Sequence, residues 1–432
     1  MKSTLPIYIL LLLGALACGK PDAVVGAQGP SGSTGPQGPA GPSRAPRLLD
    51  ERLGGWLPGN RDRLNALLVE KGIASANYDP KNRPVAAFDW DNTMVKNDCG
   101  DAAMFWMLQH DKVLQPASLD WGTTSAYLNA DAKAALKAAC DAAAAAGAPI
   151  PTSTTPACAD EIFAIYDGGK TMAGAAAWLT PVTLTQNQPY AWVAELQAGY
   201  TPEQIREMSR AAFDANAWAP AGTTQTIGTH TGVTAWVRIY EQMHDLVGAL
   251  QENGFDVWVT TASPQFVIEP IAEMVGVSAD HVLGIRTVVV NGVTTATRQG
   301  CGTSGDGPTA PITFDQGKRC WINKVIFHQL PENQMAVNPD PARRTTFSAG
   351  DSDTDIAFVK DATTLKLAIN RNKTQLMCNA YANYQDKWLV QPMFLNPKPA
   401  KTSAYACSTA RDAAGAIIVD EAGHPIPDQI ER

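Results

Sequence analysis

The segment Asp89-Trp90-Asp91-Asn92-Thr93 places two carboxylates two residues apart, directly after the apolar run Pro84 to Phe88. On a strand-to-loop transition both can face one cation. Hard oxygen donors suit Mg²⁺, which takes few carboxylates and keeps waters and phosphate oxygens around it. A cation there would draw in a phosphate and mask its repulsion. Asp89 could then attack phosphorus, with Asp91 as the acid and afterwards the base. Taken alone, such an Asp-x-Asp reads more often as an acidic turn.

The elements around it sharpen the reading. Asn60 to Gly72 has Leu64, Leu67 and Leu68 on one helical face and a glycine at its end, the pattern of an amphipathic helix. Pro84 to Phe88, Val257 to Thr260 and Thr345 to Ala349 are short apolar runs that end in polar residues and precede helix-like stretches. Repeated strand–loop–helix units predict an α/β domain on a parallel sheet, whose ligands bind beyond the carboxyl ends of the strands. From about Asp98 to Tyr240 runs an Ala- and Trp-rich insertion with helical stretches near Ala130 to Ala146. It reads as a mostly helical cap over the site, or as a lobe that never meets substrate.

In this context the Asp89 segment resembles motif one, DxDx[TV], of the haloacid dehalogenase-like (HAD) superfamily. The other motifs follow in order. Thr261 matches the hydroxyl of motif two, which bonds the transferring phosphoryl group. Lys318 in Gln316-Gly317-Lys318 matches motif three, with Lys324 as the runner-up. Gly350-Asp351-Ser352-Asp353-Thr354-Asp355 matches motif four, GDxxxD. The resemblance implies a HAD-like doubly wound parallel sheet, a Rossmann-like core of residues 47–97 and 240–395. A mostly helical cap, 98–239, is inserted between motifs one and two, and a C-terminal extension covers 396–432. It also implies Asp89 as nucleophile, Asp91 as acid/base, and Mg²⁺ held by Asp89, Asp351, the main-chain carbonyl of Asp91 and, directly or through water, Asp355. True dehalogenases lack the second Asp and P-type ATPases carry Thr there, so Asp91 implies a phosphatase; a phosphomutase shares it. A cap in this position, Thr260-Thr261-Ala262-Ser263-Pro264 and Val282 to Arg286 are similar to the phosphoserine-phosphatase-like branch and to bacterial phosphorylcholine phosphatases. Asp98 then matches the acidic residue that meets a substrate cation, and Asn92 joins the phosphate-binding set. The implied substrate is a small phosphorylated metabolite such as phosphocholine, phosphoethanolamine or phosphoserine. Trp90 stands where those enzymes often have Met, and this cap is longer.

Composition sets the surroundings. The chain has 432 residues, 45% of them hydrophobic, and a formal net charge of −8, with no basic stripe for a nucleic acid. Met1-Lys2, the apolar run Ile7 to Leu13 and Ala15-Leu16-Ala17 read as an export signal over residues 1–18, with Cys18 either lipidated or following an ordinary cleavage site. The expected destination is periplasmic or cell-surface, with a lipid anchor to a bacterial membrane. Within 19–46, Gly26, Gly29, Gly32, Gly35, Gly38 and Gly41 keep the collagen period, for a spacer or a homotrimeric stalk. A rival class follows from that tract: a trimeric surface protein whose HAD domain has lost its chemistry. An oxidising compartment favours disulfides, and Cys140–Cys158, Cys301–Cys320 and Cys378–Cys407 are the neighbours in sequence, although sequence does not fix connectivity. That pairing leaves Cys99. Trp106, Trp121, Trp178, Trp192, Trp218 and Trp236 could frame a quaternary ammonium, or fill cores. The histidines show no HExxH, Gly302 to Gly307 is no Walker loop, and Ser263 lacks the GxSxG of a serine hydrolase.

Overall fold

Val85–Phe88 (β1) is hydrogen-bonded on both sides, to Asp256–Pro264 (β2) and to Phe347–Gly350 (β4), all running parallel. With Val282–Ile285 (β3), Leu365–Asn370 (β5) and Trp388–Pro392 (β6), these strands form one six-stranded parallel sheet in the order β6-β5-β4-β1-β2-β3. The computed structural model describes residues 45–430. The expected export signal, Cys18 and nearly all of the collagen-like tract lie outside the described residues.

Alternation within the strands explains why both faces of the sheet are covered. Ala86, Phe88, Phe347, Ala349, Leu365, Leu367 and Ile369 face one cluster, with Leu64, Leu67, Leu246 and Leu250. Those partners come from the helices Asn60–Lys71 (α1) and Glu241–Glu252 (α7). Ala87 and Ala368 face the other, with Trp321, Phe358 and Leu376. These belong to Gln316–Val325 (α9), Ile356–Asp361 (α10) and Thr374–Ala382 (α11). The period of two along a strand sends successive side chains to opposite faces, and a sheet buried on both needs apolar residues throughout.

Between β1 and α7 lie Cys99–Gln109 (α2), Ala130–Cys140 (α3), Pro156–Gly168 (α4), Gln188–Glu195 (α5) and Pro202–Ala217 (α6), followed by a hairpin at 224–234. They carry a core of their own around Phe105, Trp121, Leu136, Ile162 and Trp192. The Cys140–Cys158 disulfide ties α3 to α4. Gln265–Ala272 (α8) follows β2 and packs on α6.

Two features were not visible in the sequence. A second hairpin, Thr287–Val290 with Val293–Arg298, leaves the sheet and joins α5 through a buried ion pair, Arg298 Nε to Glu195 Oε1 at 2.6 Å. The segment after 400 is strapped onto α10, α11 and β6. The Cys378–Cys407 disulfide holds it, as do bonds from Lys360 Nζ to Val419 O and from Trp388 Nε1 to Glu421. Cys301–Cys320 ties α9 to the loop before it, and Cys99 is the free, buried thiol among the described residues. Among the described residues no helix is long and apolar enough to cross a membrane.

Candidate active site

Every carboxyl end of the three central strands delivers a polar group. β1 ends at Asp89, whose backbone N–H bonds Ala349 O at 2.9 Å, so the nucleophile candidate is still held by the sheet. The chain then turns sharply, with Asn92 at φ 63° and Asn97 at φ 67°, a conformation asparagine tolerates better than most residues. The buried Trp90 ring anchors this turn, donating from Nε1 to Cys99 Sγ. β4 ends at Gly350-Asp351. A side chain at Gly350 would meet Asp355 Cβ at 2.5 Å, so the glycine lets Asp355 fold back beneath Asp351. At the start of α9, a side chain at Gly317 would meet Ile312 O at 1.8 Å, leaving no room to substitute it without moving Lys318.

These segments converge. Lys318 Nζ donates to Asp89 Oδ1 and to Asp355 Oδ1, both at 2.6 Å, with its side chain 1% exposed. Burial by itself would lower the Lys318 pKa, but the Asp355 and Asp89 carboxylates outweigh it and hold the ammonium charged. Burial pushes Asp89 up to about 6, against the pull of Lys318 and with the Asp351 charge adding to the rise. Burial likewise raises Asp351, opposed by Arg371, and Asp355, where the Asp89 charge adds and Lys318 opposes.

Oxygens of Asp89, Asp351 and Asp355 lie within 4.8 Å of one another. Thr93 Oγ1 sits between Asp89 Oδ2 at 3.0 Å and Asp351 Oδ1 at 2.9 Å. One hydroxyl has one proton, so it serves one carboxylate and leaves the other facing an oxygen. A hard cation resolves that surplus of lone pairs, and the all-oxygen donor set fits Mg²⁺. Asp355 is already engaged at both oxygens, Oδ1 by Lys318 and Oδ2 by the N–H groups of Asp351 and Ser352.

Asp91 points elsewhere. Its Oδ1 accepts from Cys99 N at 2.7 Å, and its Oδ2 from Ser263 Oγ at 2.6 Å and more weakly from Thr261 Oγ1 at 3.4 Å. Burial raises its pKa well above the ordinary carboxylate range and the Asp98 charge adds to this, while the Ser263 and Cys99 bonds oppose it. A carboxyl whose protonated form is favoured in this way can give its proton to a departing oxygen.

Asp89, Asp91, Asn92, Asp98, Thr261, Lys318 and Asp351 all line one cavity of about 370 Å³, while Asp355 lies beneath it with its side chain 0% exposed. Asn92 also braces the turn, its Oδ1 accepting from Asn97 N. Asp98 caps α2 by accepting from Asp101 N at 2.9 Å. Lys324 is remote, bonded to Gly300 O and set over Trp321. The six tryptophans do not form a frame. Trp121 and Trp192 are buried in the second core, Trp106 and Trp178 pack against it, Trp218 is 86% exposed, and only Trp236 lines the cavity.

Several wall residues escaped sequence reasoning. Ser263, read as part of the Thr260–Pro264 segment and set aside as a hydrolase nucleophile, was given no site role, yet it is the main side-chain partner of Asp91; its place two residues past Thr261 was the available signal. Arg371, Asp101, Tyr166 and Tyr190 had no motif to mark them, and Thr93, which closes motif one, was given no role of its own. Tyr166 and Tyr190 line the cavity from α4 and α5, and Tyr166 donates its hydroxyl to Asp101 Oδ1.

The comparisons with known proteins agree with this geometry. Residues 183–360 match the family model of haloacid dehalogenase-like hydrolases, a stretch that holds Thr261, Lys318, Asp351 and Asp355. Over that stretch the chain is similar to the haloacid dehalogenase-like hydrolases, and Asp89 and Asp91 stand at the end of the adjoining strand. A protein of Anaerococcus prevotii described as conserved and functionally unknown shares the fold at a TM-score of 0.56, with 20% identity over 78% of this chain and 92% of that one. A Bordetella pertussis protein of unknown function aligns at 16% identity over 72% and 98%, with a TM-score of 0.41. A substrate-bound phosphoserine phosphatase aligns at 13% identity over 68% and 90%, with a TM-score of 0.30. No curated protein matches the chain.

Proposed function

We propose that the chain hydrolyses small phosphate monoesters, with Mg²⁺ as cofactor, through an aspartyl-phosphate on Asp89. The observation that carries this is the Lys318 ammonium shared between Asp89 and Asp355, beside Asp351 and at the floor of the cavity. Asp89 attacks phosphorus, and the P–O bond to the alcohol breaks as Asp91 donates its proton to the leaving oxygen. Asp91 then takes a proton from water as that water attacks the phosphoryl group, returning free Asp89 and inorganic phosphate. Lys318 and Thr261 hold the phosphoryl oxygens. Asp89, Asp351 and the Asp91 carbonyl would hold Mg²⁺, with Asp355 supporting them; bound there, it would neutralise phosphoryl charge. Convergence of the whole catalytic set argues against a domain that has lost its chemistry.

The cap side of the cavity narrows the alcohol. Asp98 and Asp101 line it and, among the described residues, neither is salt-bridged to a cation; Tyr166, Tyr190 and Trp236 line the same cavity. Buried carboxylates of this kind favour a cationic group on the leaving alcohol, and the aromatic rings favour a methylated one. They disfavour the second phosphate a phosphomutase must hold. With Mg²⁺ supplied, phosphocholine and phosphoethanolamine should exceed p-nitrophenyl phosphate in kcat/KM. Asp101→Asn should cut the phosphoethanolamine advantage about 10- to 100-fold, the worth of one charged hydrogen bond from its primary ammonium, and leave the aryl ester unchanged. Equal rates on all esters would remove the cationic reading, and no metal-dependent turnover of any would remove the phosphatase.

The three disulfides favour the oxidising, exported setting read from the first residues. Mass spectrometry of the mature N-terminus should find Cys18 first and lipidated; an intact Met1 would refute export by this signal.

A further inference from the structure

Arg371 follows β5 directly, and β5 pairs in register with the strand that ends at Asp351, Gly350 opposite Ala368. Its Nη1 donates to Asp351 Oδ2 at 2.5 Å; the Asp351 side chain is 1% exposed and the Arg371 side chain 27%. The two oxygens of Asp351 are thereby divided. Oδ1 accepts from Thr93 Oγ1, which also faces Asp89 Oδ2, while Oδ2 accepts from the guanidinium. The terminal torsion of an aspartate is broad, so a carboxylate held at one oxygen only can swing. With Oδ2 fixed, a single oxygen is presented to the cluster, as suits a small cation that tolerates little deviation from octahedral geometry.

We propose that Arg371 is a positioning residue: it fixes the orientation of Asp351 and so sets the affinity of the site for a divalent cation. The inference rests on the metal-dependent reading given above. An opposing effect makes it testable. A guanidinium close to a cation also repels it, so electrostatics alone predict that removing Arg371 tightens binding. Orientation predicts the reverse, since losing the partner that orients a metal ligand typically weakens binding about 10- to 100-fold. Lys373, two residues on, lines the same cavity but does not bond Asp351. It therefore serves as a control for charge.

The experiment is calorimetric titration of the whole metal-free protein with MgCl₂. Arg371→Gln should bind Mg²⁺ about 10- to 100-fold more weakly than wild type, and Lys373→Gln no more weakly. At saturating Mg²⁺ the substrate KM of Arg371→Gln should return to near the wild-type value. If the glutamine variant does not fold, Arg371→Lys keeps the charge and tests orientation alone; it too should bind Mg²⁺ more weakly than wild type, because a lysine lacks the planar guanidinium that holds Asp351. Unchanged or tighter binding in the Arg371 variant, or equal weakening in the Lys373 control, would overturn the proposal. Wild type that binds no Mg²⁺ would instead sink the metal-dependent reading itself.

Discussion

Asp89→Asn should leave a folded protein with no detectable turnover, a fall in kcat of about 10⁴-fold or more, as expected for loss of a nucleophile. Its fold should survive for a specific reason. The asparagine Oδ1 can still accept from Lys318, and its Nδ2 can donate to Thr93 Oγ1, releasing that hydroxyl to serve Asp351. The amide thus supplies the proton that the facing carboxylates lack, and it removes one buried negative charge. In the absence of Mg²⁺ the Tm should equal or exceed that of wild type. Rapid-quench trapping with labelled substrate should find phosphate on the wild-type protein and none on the variant. A variant that is unfolded would leave the role of Asp89 unproved, so the unchanged Tm is part of the expected result. Wild-type-like turnover would refute it.

The sequence made the chemistry legible where chain order and local pattern coincide. Asp89 and Asp91 announce themselves because an apolar strand precedes them, and Asp351 and Asp355 because Gly350 and their spacing define a turn. Lys318 was preferred to Lys324 by its place at a helix start, and the structure puts it between Asp89 and Asp355. Three neighbouring cysteine pairs also proved to be bonded. What stayed hidden depends on tertiary convergence. Tyr166 and Tyr190 reach the cavity only because α5 packs on β2 and α4 packs on α5. Nothing in the local pattern separates Trp236, which lines the wall, from Trp192, which fills a core. Arg371 follows a buried strand as an unremarked cation, and its meaning appears only when β4 brings Asp351 beside it. The hairpin at 287–298 has ordinary strand composition, and its docking on α5 depends on the distant Glu195.

Lys318→Met should damage both activity and stability, and Mg²⁺ should separate the two. Lys318 is buried between Asp89 and Asp355, themselves buried, so methionine fills similar space but leaves both carboxylates without their shared cation. Removing one partner from a buried ion pair costs about 3–5 kcal/mol, and here two partners are stranded. Part of that is recovered if the carboxylates take up protons, so the lower end of the range is expected. Mg²⁺ should restore Tm partially, because its charge would lie beside Asp89 and Asp351. It should not restore turnover. The ammonium is placed to meet phosphoryl charge as it develops, and losing one such donor typically costs about 10²–10³ in kcat. Thermal melts with and without MgCl₂, beside kcat at saturating metal, measure both quantities. A variant that recovers wild-type kcat when Mg²⁺ recovers its stability would show that Lys318 only balances buried charge; a persistent kcat deficit in a fully folded, metal-saturated protein assigns the ammonium to the transition state.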